Sequence, residues 1–299
     1  MSVLERLETY ARVKEHESMK KHTTFHIGGT VDYFIYPKNC TSLLCVVNIL
    51  NENHIPYFVM GRGSNVLCDD EDFHGAIINL DRTLNEAYIE PSGILVAQAG
   101  CSVVNLAAEA MKHSLSGLEF ASGIPGSIGG AVYMNAGAYK SNMAEIIKDV
   151  FVMRDNQIVW MDKSELELAY RHSIFQKHKD WTILAARLQL QPADRDEIRD
   201  LMDSRRQRRM AAQPLDKPCA GSVFRNPEHI PAWKLVENLG LRGFRIGGAQ
   251  VSEKHCNFIV NENNEATAAD VRNLIALIKE KAKNTYDIDL ITEVEQLHW

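Results

Sequence analysis

Apolar and polar positions along this chain change rhythm repeatedly, and the changes predict an alternation of short strands and helices. Apolar runs bounded by turn-forming residues predict strands at Val31–Pro37, Ile55–Gly61, Ala76–Leu80, Ile94–Ala99 and Thr182–Leu190. Apolar residues at helical spacing predict a helix over Thr41–His54, with Thr41 as its cap, and another from Ser102, its cap, to about His113. Ala131–Asn135 is a short apolar stretch after a glycine pair. Val150–Arg154 and Gln157–Met161 flank Asp155-Asn156 and predict a hairpin. Asp162 with Glu165 three residues on predicts a capping box before a short helix. A break falls at Gln191–Asp194, and Arg195–Ala212 beyond it is strongly helical. The remainder predicts a helix from Pro231 to Leu239, stopped by Gly240, strands near Ala249–Val251 and Phe258–Asn261, and a long helix over Thr267–Tyr286. This is not a clean strand–helix repeat. It predicts an α+β protein in two parts, residues 1–193 and 194–299.

The chain has 299 residues, of which 45% are hydrophobic and 24% charged, enough to bury a substantial core. Repeats and low-complexity segments are absent. Met1–Lys21 is charged throughout and does not read as a signal peptide, and no apolar run approaches a membrane span. Six cysteines without a C-x-x-C pair are consistent with reduced thiols in a cytoplasm. The formal net charge of −6 argues against nonspecific nucleic-acid binding. Local cations can still receive a small anion: Arg205, Arg206, Arg208 and Arg209 form one group, Arg242, Arg245 and Lys254 another. The first group reads in the first place as a solvated helix face. No spacing suits a metal, and none is expected.

Four segments carry candidate chemistry. In Ala220-Gly221-Ser222-Val223-Phe224-Arg225-Asn226-Pro227, a glycine before the serine allows close backbone approach, and Pro227 stiffens the exit. That fixes one hydroxyl in place, though the same eight residues also suit a turn entering a strand. Cys219 beside it reads as a packing residue. Gly61-Arg62-Gly63-Ser64-Asn65 follows a strand, and its two glycines would let several N–H groups point one way, a nest for phosphate oxygens; alone it is also an ordinary tight turn. Gly123-Ile124-Pro125-Gly126-Ser127-Ile128-Gly129-Gly130 carries four glycines in eight residues, which suits close approach of a diphosphate. Neither loop is a dinucleotide fingerprint or a P-loop. In Tyr170–Phe175, Arg171 stands between aromatics and would pair with a carboxylate, or with a surface partner. Glu293 lies in the apolar run Leu290–Val294. Facing water it is an ordinary edge residue; facing inward, burial would raise its pKa and fit it for proton work.

Together with Thr23–Gly29 and Tyr133–Ala138, these segments, in this order and spacing, resemble the UDP-N-acetylenolpyruvoylglucosamine reductase family over nearly the whole chain, in its shorter, type II form. The resemblance implies a FAD-binding fold of the vanillyl-alcohol-oxidase kind, with a smaller α+β substrate-binding domain after it. It implies non-covalent FAD held by Gly61–Asn65 and by Gly123, Ile124, Pro125, Gly126, Ser127, Gly129 and Gly130. It implies NADPH as reductant and the enolpyruvyl ether of UDP-N-acetylglucosamine as substrate. The product would be UDP-N-acetylmuramate, a precursor of peptidoglycan, made in the cytoplasm by a monomer or weak dimer. Carried over by residue, Ser222 is the proton donor, Arg171 and Glu293 stabilise the enolate, and Asn226 contacts substrate; Arg225 and Arg242 are candidates for the uridine diphosphate. One departure is visible: Gln296-Leu297-His298-Trp299 lacks the glycine that usually follows the glutamate segment. Two other readings are open. One is a different flavin oxidoreductase of the same fold, which would leave the Ser222 and Glu293 segments unexplained. The other is a nucleotide-sugar-binding paralogue with little or no turnover.

Overall fold

In the computed structural model, residues 1–155 and 157–298 are described; Asn156, half of the expected hairpin turn, and Trp299 lie outside them. Side-chain caps decide where most helices begin. Helix α1 (Val3–Tyr10), which the sequence pattern did not reveal, opens with a reciprocal capping box between Ser2 and Glu5. Strands β1 (Ala11–Ser18) and β2 (Thr30–Pro37) lead to α2 (Cys40–Glu52). Its cap is Asn39 rather than Thr41: the Asn39 side chain accepts the Ser42 amide at 2.8 Å, which leaves Thr41 inside the first turn. Strands β3 (Tyr57–Met60), β4 (Val66–Leu67), β5 (Phe73–Asn79), β6 (Ala87–Ile89) and β7 (Ile94–Gln98) follow. Helix α3 (Val103–Lys112) starts at Ser102, as the sequence predicts.

After β8 (Leu115–Ser116), helix α4 (Ile128–Tyr133) begins inside the expected glycine loop, capped by Ser127. Short β9 (Gly137–Ala138), β10 (Ser141–Asn142) and α5 (Met143–Ile146) precede β11 (Ile147–Arg154) and β12 (Gln157–Asp162). The Asp162–Glu165 capping box forms before a single 3₁₀ turn. Then come β13 (Thr182–Gln189), β14 (Gln191–Pro192) and α6 (Arg195–Ala212). The C-terminal run holds α7 (Ala232–Asn238), β15 (Arg245–Ile246), β16 (Ala249–Val251), β17 (Ile259–Asn261), α8 (Ala268–Tyr286) and β18 (Glu295–Gln296).

The chain forms two compact units. The first comprises Met1–Glu15, Tyr33–Arg62 and Gly75–Arg208; the second His16–Asp32, Gly63–His74 and Arg209–Trp299. The first unit contains an antiparallel sheet ordered β12–β11–β13–β7–β6. Its core joins Val150, Val152, Leu184, Ala186 and Leu188 of that sheet to Leu43, Val46 and Leu50 of α2 and to Val103, Leu106 and Ala110 of α3. Central strand β13 is buried over nearly its whole length, so it reads as a continuous apolar run rather than an alternation.

The second unit has the antiparallel sheet β15–β16–β17. Helix α8 turns Val271, Leu274, Ile275, Ile278 and Ala282 into the core there, one face at helical spacing. Asp70 caps this helix from 198 residues away, its carboxylate accepting the Ala268 amide at 2.8 Å and the Ala269 amide at 3.0 Å. The chain end, despite its missing glycine, pairs as β18 in parallel with β4. Among the described residues no helix is long and apolar enough to cross a membrane.

Candidate functional site

The Ser222 segment lies in the second unit and is pinned along both edges. Gly221 has φ +76°, a left-handed conformation that a glycine adopts without strain. From there the chain straightens. Phe224 bridges Thr292 antiparallel, with the Glu293 amide donating to the Val223 carbonyl at 2.8 Å and the Arg225 amide to the Ile291 carbonyl at 2.9 Å. On the opposite edge the Val223 amide donates to the Asn257 carbonyl at 2.8 Å. The entry is fixed too: the Cys219 amide donates to the Thr24 carbonyl at 3.0 Å, and the Thr24 hydroxyl donates back to the Cys219 carbonyl at 2.6 Å. Val223 and Phe224 are buried, and Ser222 itself stays half-buried. The Cys219 thiol is pushed up by burial, which makes it a poor nucleophile.

This pairing brings the backbone carrying Ser222 beside the backbone carrying Glu293. Glu293 is half-buried, and its carbonyl accepts from the Asn65 side chain at 3.0 Å. Asn65 in turn accepts the Glu295 amide at 2.9 Å, so Gly63–Asn65 is tied to the glutamate segment in the same unit. Asn226 caps α7, its Oδ1 accepting the Ala232 amide at 3.0 Å, which places Pro231 at the cap and starts the helix one residue later than expected. Of the candidate cations, Arg242 is bound by the Glu237 carboxylate and the Glu253 carbonyl. The Arg225 Nε is buried without a hydrogen-bond partner among the described residues. Lys254 donates to the Met210 carbonyl at 2.6 Å.

Arg171 belongs to the first unit. It sits at φ +54° in a two-residue turn closed by reciprocal bonds between Ala169 and His172 at 3.1 and 3.0 Å. Its guanidinium donates to the Gly137 carbonyl at 2.9 Å and lies 5.3 Å from the Tyr170 ring centre. Asn135, buried and at φ +40°, donates to the Ala169 carbonyl at 2.8 Å. Ser173 donates to the Tyr133 carbonyl at 2.6 Å. The Tyr133–Ala138 segment is therefore the bed on which the arginine turn rests. Nothing in the sequence pattern assigned Asn135 and Ser173 this part. An asparagine between a helix end and a small-residue run was the available signal, since asparagine tolerates left-handed backbone.

The glycine loops answer whether a diphosphate cofactor fits. A Cβ on Gly61 would fall 2.1 Å from the Ser127 Oγ, so the two segments approach too closely for any side chain there. None of the five amides from Gly61 to Asn65 donates to another group among the described residues. The second loop differs from expectation. The Gly126, Ile128 and Gly129 amides donate to the Ile124, Cys101 and Ala99 carbonyls, and the Gly130 amide to Ser127 Oγ at 3.4 Å. Its glycines mainly allow close packing, as at Gly129, where a Cβ would meet Ala99 Cβ at 3.1 Å. The Gly61–Asn65 amides and the bare backbone at Gly61 fit an anionic cofactor.

Two family models and several relatives match the chain. Residues 31–156 match the family model for a FAD binding domain, and residues 213–297 match that for UDP-N-acetylenolpyruvoylglucosamine reductase, C-terminal domain. The UDP-N-acetylenolpyruvoylglucosamine reductase of Bacillus velezensis is 45% identical over 285 residues, covering 95% of this chain and 93% of the relative. That of Anoxybacillus flavithermus is 43% identical over 284 residues, with the same coverage, 95% and 93%. The crystal structure of UDP-N-acetylenolpyruvylglucosamine reductase from Thermus caldophilus superposes with a TM-score of 0.83 at 31% identity, covering 97% of this chain and 100% of that one. The fold is α+β, a FAD-binding fold of the vanillyl-alcohol-oxidase kind followed by a smaller α+β domain. The chain belongs to the UDP-N-acetylenolpyruvoylglucosamine reductase family and is a FAD-dependent oxidoreductase.

Proposed function

We propose that this protein uses NADPH to reduce the enolpyruvyl ether of UDP-N-acetylglucosamine enolpyruvate to UDP-N-acetylmuramate, a cytoplasmic step of peptidoglycan precursor synthesis. The observation that carries this reading is the Val223–Glu293 pairing, which joins the serine segment to the glutamate segment. When bound, FAD would supply the hydride-transfer chemistry between NADPH and the methylene carbon of the substrate. Negative charge then develops at the neighbouring carbon and spreads into the carboxylate. Arg171 stabilises that charge as a fixed cation, worth most where water is excluded. Glu293 in its protonated form donates a hydrogen bond to the same enolate. Ser222 delivers the proton to carbon, which completes the addition of hydride and proton across the double bond.

A hydroxyl is a weak acid, but a carbon enolate is strongly basic, so placement outweighs acidity here. The buried, unpaired Nε of Arg225 supports a role for that arginine in holding the anionic substrate. Arg242, held by Glu237, would have to exchange that partner to meet a diphosphate. The Gly61–Asn65 amides would hold the FAD diphosphate.

The test is NADPH oxidation by the purified yellow protein with and without the enolpyruvyl sugar. Oxidation that requires the sugar is expected. Slow oxidation indifferent to the sugar would mean another acceptor, and tight sugar binding without turnover would mean a binding paralogue. Denaturation should release the flavin into the supernatant, as non-covalent FAD requires.

A further inference from the structure

The serine segment has a strand partner on one edge; on the other, a single residue takes the strand's place with its side chain and its carbonyl. Asn257 is 4% exposed and meets Phe224 with both ends of its amide. Its Nδ2 donates to the Phe224 carbonyl at 2.8 Å, and its Oδ1 accepts the Phe224 amide at 3.0 Å. Its own backbone carbonyl accepts the Val223 amide at 2.8 Å. One residue thus makes three hydrogen bonds to the two residues that follow Ser222. Asn257 is itself oriented, its amide donating to His255 Nδ1 at 3.3 Å, while Ser252 Oγ accepts the Lys254 and His255 amides at 3.1 and 3.3 Å.

The chemistry of this contact is specific. A primary amide offers a donor and an acceptor side by side on one short stem. Aspartate keeps the acceptor and loses the donor, and leucine keeps the shape and loses both. With Phe224 buried at 1% exposure, water cannot replace the missing bonds.

Ser222 depends on this anchor. No hydrogen bond of the protein engages its hydroxyl among the described residues. On its N-terminal side Gly221 is conformationally permissive, and a Cβ there would meet nothing within 4 Å. With the N-terminal tether at Cys219 three residues back and Gly221 between, the tether adjoining the serine is on the C-terminal side, at Val223 and Phe224. Those two residues are clamped between the Ile291–Glu293 backbone and Asn257.

We propose that Asn257 is a positioning residue for the protonation step, acting through Ser222 by fixing the backbone that aims its hydroxyl. This rests on the reading of Ser222 as proton donor. The experiment is rapid mixing of the purified holoenzyme and its variants, one half-reaction at a time. In Asn257→Ala, flavin reduction by NADPH is expected within about twofold of the parent. Reoxidation at saturating enolpyruvyl sugar should slow about 10²-fold, the loss that a 1 Å misplacement brings, with the sugar concentration for half-maximal rate nearly unchanged. Asn257→Asp, which keeps one of the two side-chain bonds, should fall between, and it decides the matter if the alanine variant does not fold.

The Ser222→Ala/Asn257→Ala double variant should reoxidise no more slowly than Ser222→Ala alone, because a residue that acts only through the serine has nothing left to position. Equal slowing of both half-reactions, an unchanged reoxidation rate, or multiplying losses in the double variant would overturn the proposal. Unimpaired reoxidation in Ser222→Ala would remove the proton-donor reading and this inference with it. Multiplying losses on top of a slow Ser222→Ala would remove this inference alone.

Discussion

The Glu293 amide donates to the Val223 carbonyl across 2.8 Å, so two segments seventy residues apart in sequence form one short antiparallel bridge. The residue before Val223 is the serine, and the residue donating the bond is the glutamate. Backbone pairing therefore sets the two segments side by side.

Replacing Ser222 by alanine separates the half-reactions. Flavin reduction by NADPH should stay near the parent rate, while reoxidation by the enolpyruvyl sugar should slow by about 10²–10⁴-fold, the range for loss of a placed acid. Stopped-flow absorbance at the flavin band reads both. Equal loss in the two would remove Ser222 from the proton step.

Gly61→Ala tests the cofactor cradle. The added methyl would stand 2.1 Å from Ser127 Oγ, so one segment must move. Overpacking of this kind costs about 1–3 kcal/mol, which, felt at the cofactor site, weakens FAD binding by about ten- to a hundredfold. The ratio of flavin to protein after gel filtration checks it; a fully loaded variant would place the diphosphate elsewhere.

Asn135→Gly tests the bed of the arginine turn. Glycine tolerates φ +40°, so the change removes only the bond to the Ala169 carbonyl and the one from the Ala144 amide, 2.8 and 2.9 Å. The variant should lose about 1–3 kcal/mol in urea unfolding, since both partners are left unpaired in a part-buried site. Turnover should fall with FAD content unchanged. Parent-like turnover would show that Arg171 needs no such support.

His255 gives the molecule an acid-sensitive point. Burial, and then the charge of Arg242, hold its imidazole below the ordinary value. The folded state therefore keeps it neutral where the unfolded chain binds a proton, so the stabilisation is present above about pH 6.5 and is lost as pH falls below it. Protonation would also remove the Nδ1 acceptor used by the Asn257 amide. Thermal melting from pH 7.5 to 5 should show the parent losing more stability than His255→Gln. Parallel curves would assign the acid loss to other groups.

Much of this was legible from the chain. Arg195–Ala212 is helical over the expected residues, Ser102 caps α3 as expected, and α8 lies within the expected Thr267–Tyr286 span, where Thr267 turns out to be its cap. These features are local: a cap or an apolar stripe is decided within four residues. The glycine at position 221 before the serine signalled a permissive backbone, and the structure places it at φ +76°. The order and spacing of the serine, arginine and glutamate segments also identified the family.

What only the tertiary structure decided involves partners far apart in sequence. The cap of α2 is a local exception: Asn39 rather than Thr41 takes it because the Asn39 side-chain oxygen meets the Ser42 amide, which apolar spacing alone did not separate. The four-glycine loop read as a set of free amides, yet most of them are satisfied by Ala99, Cys101, Ala121, Ile124 and Ser127, and its Ile128-Gly129-Gly130 end is helix. Asp70 caps α8 across 198 residues, a partnership that no local spacing reveals. Asn257 carried no signal at all, because an asparagine that mimics a strand edge is recognisable only once Phe224 lies beside it. Sequence determines the elements and the chemistry they carry. Which buried amide each polar group must satisfy is fixed only when packing excludes water from the alternatives.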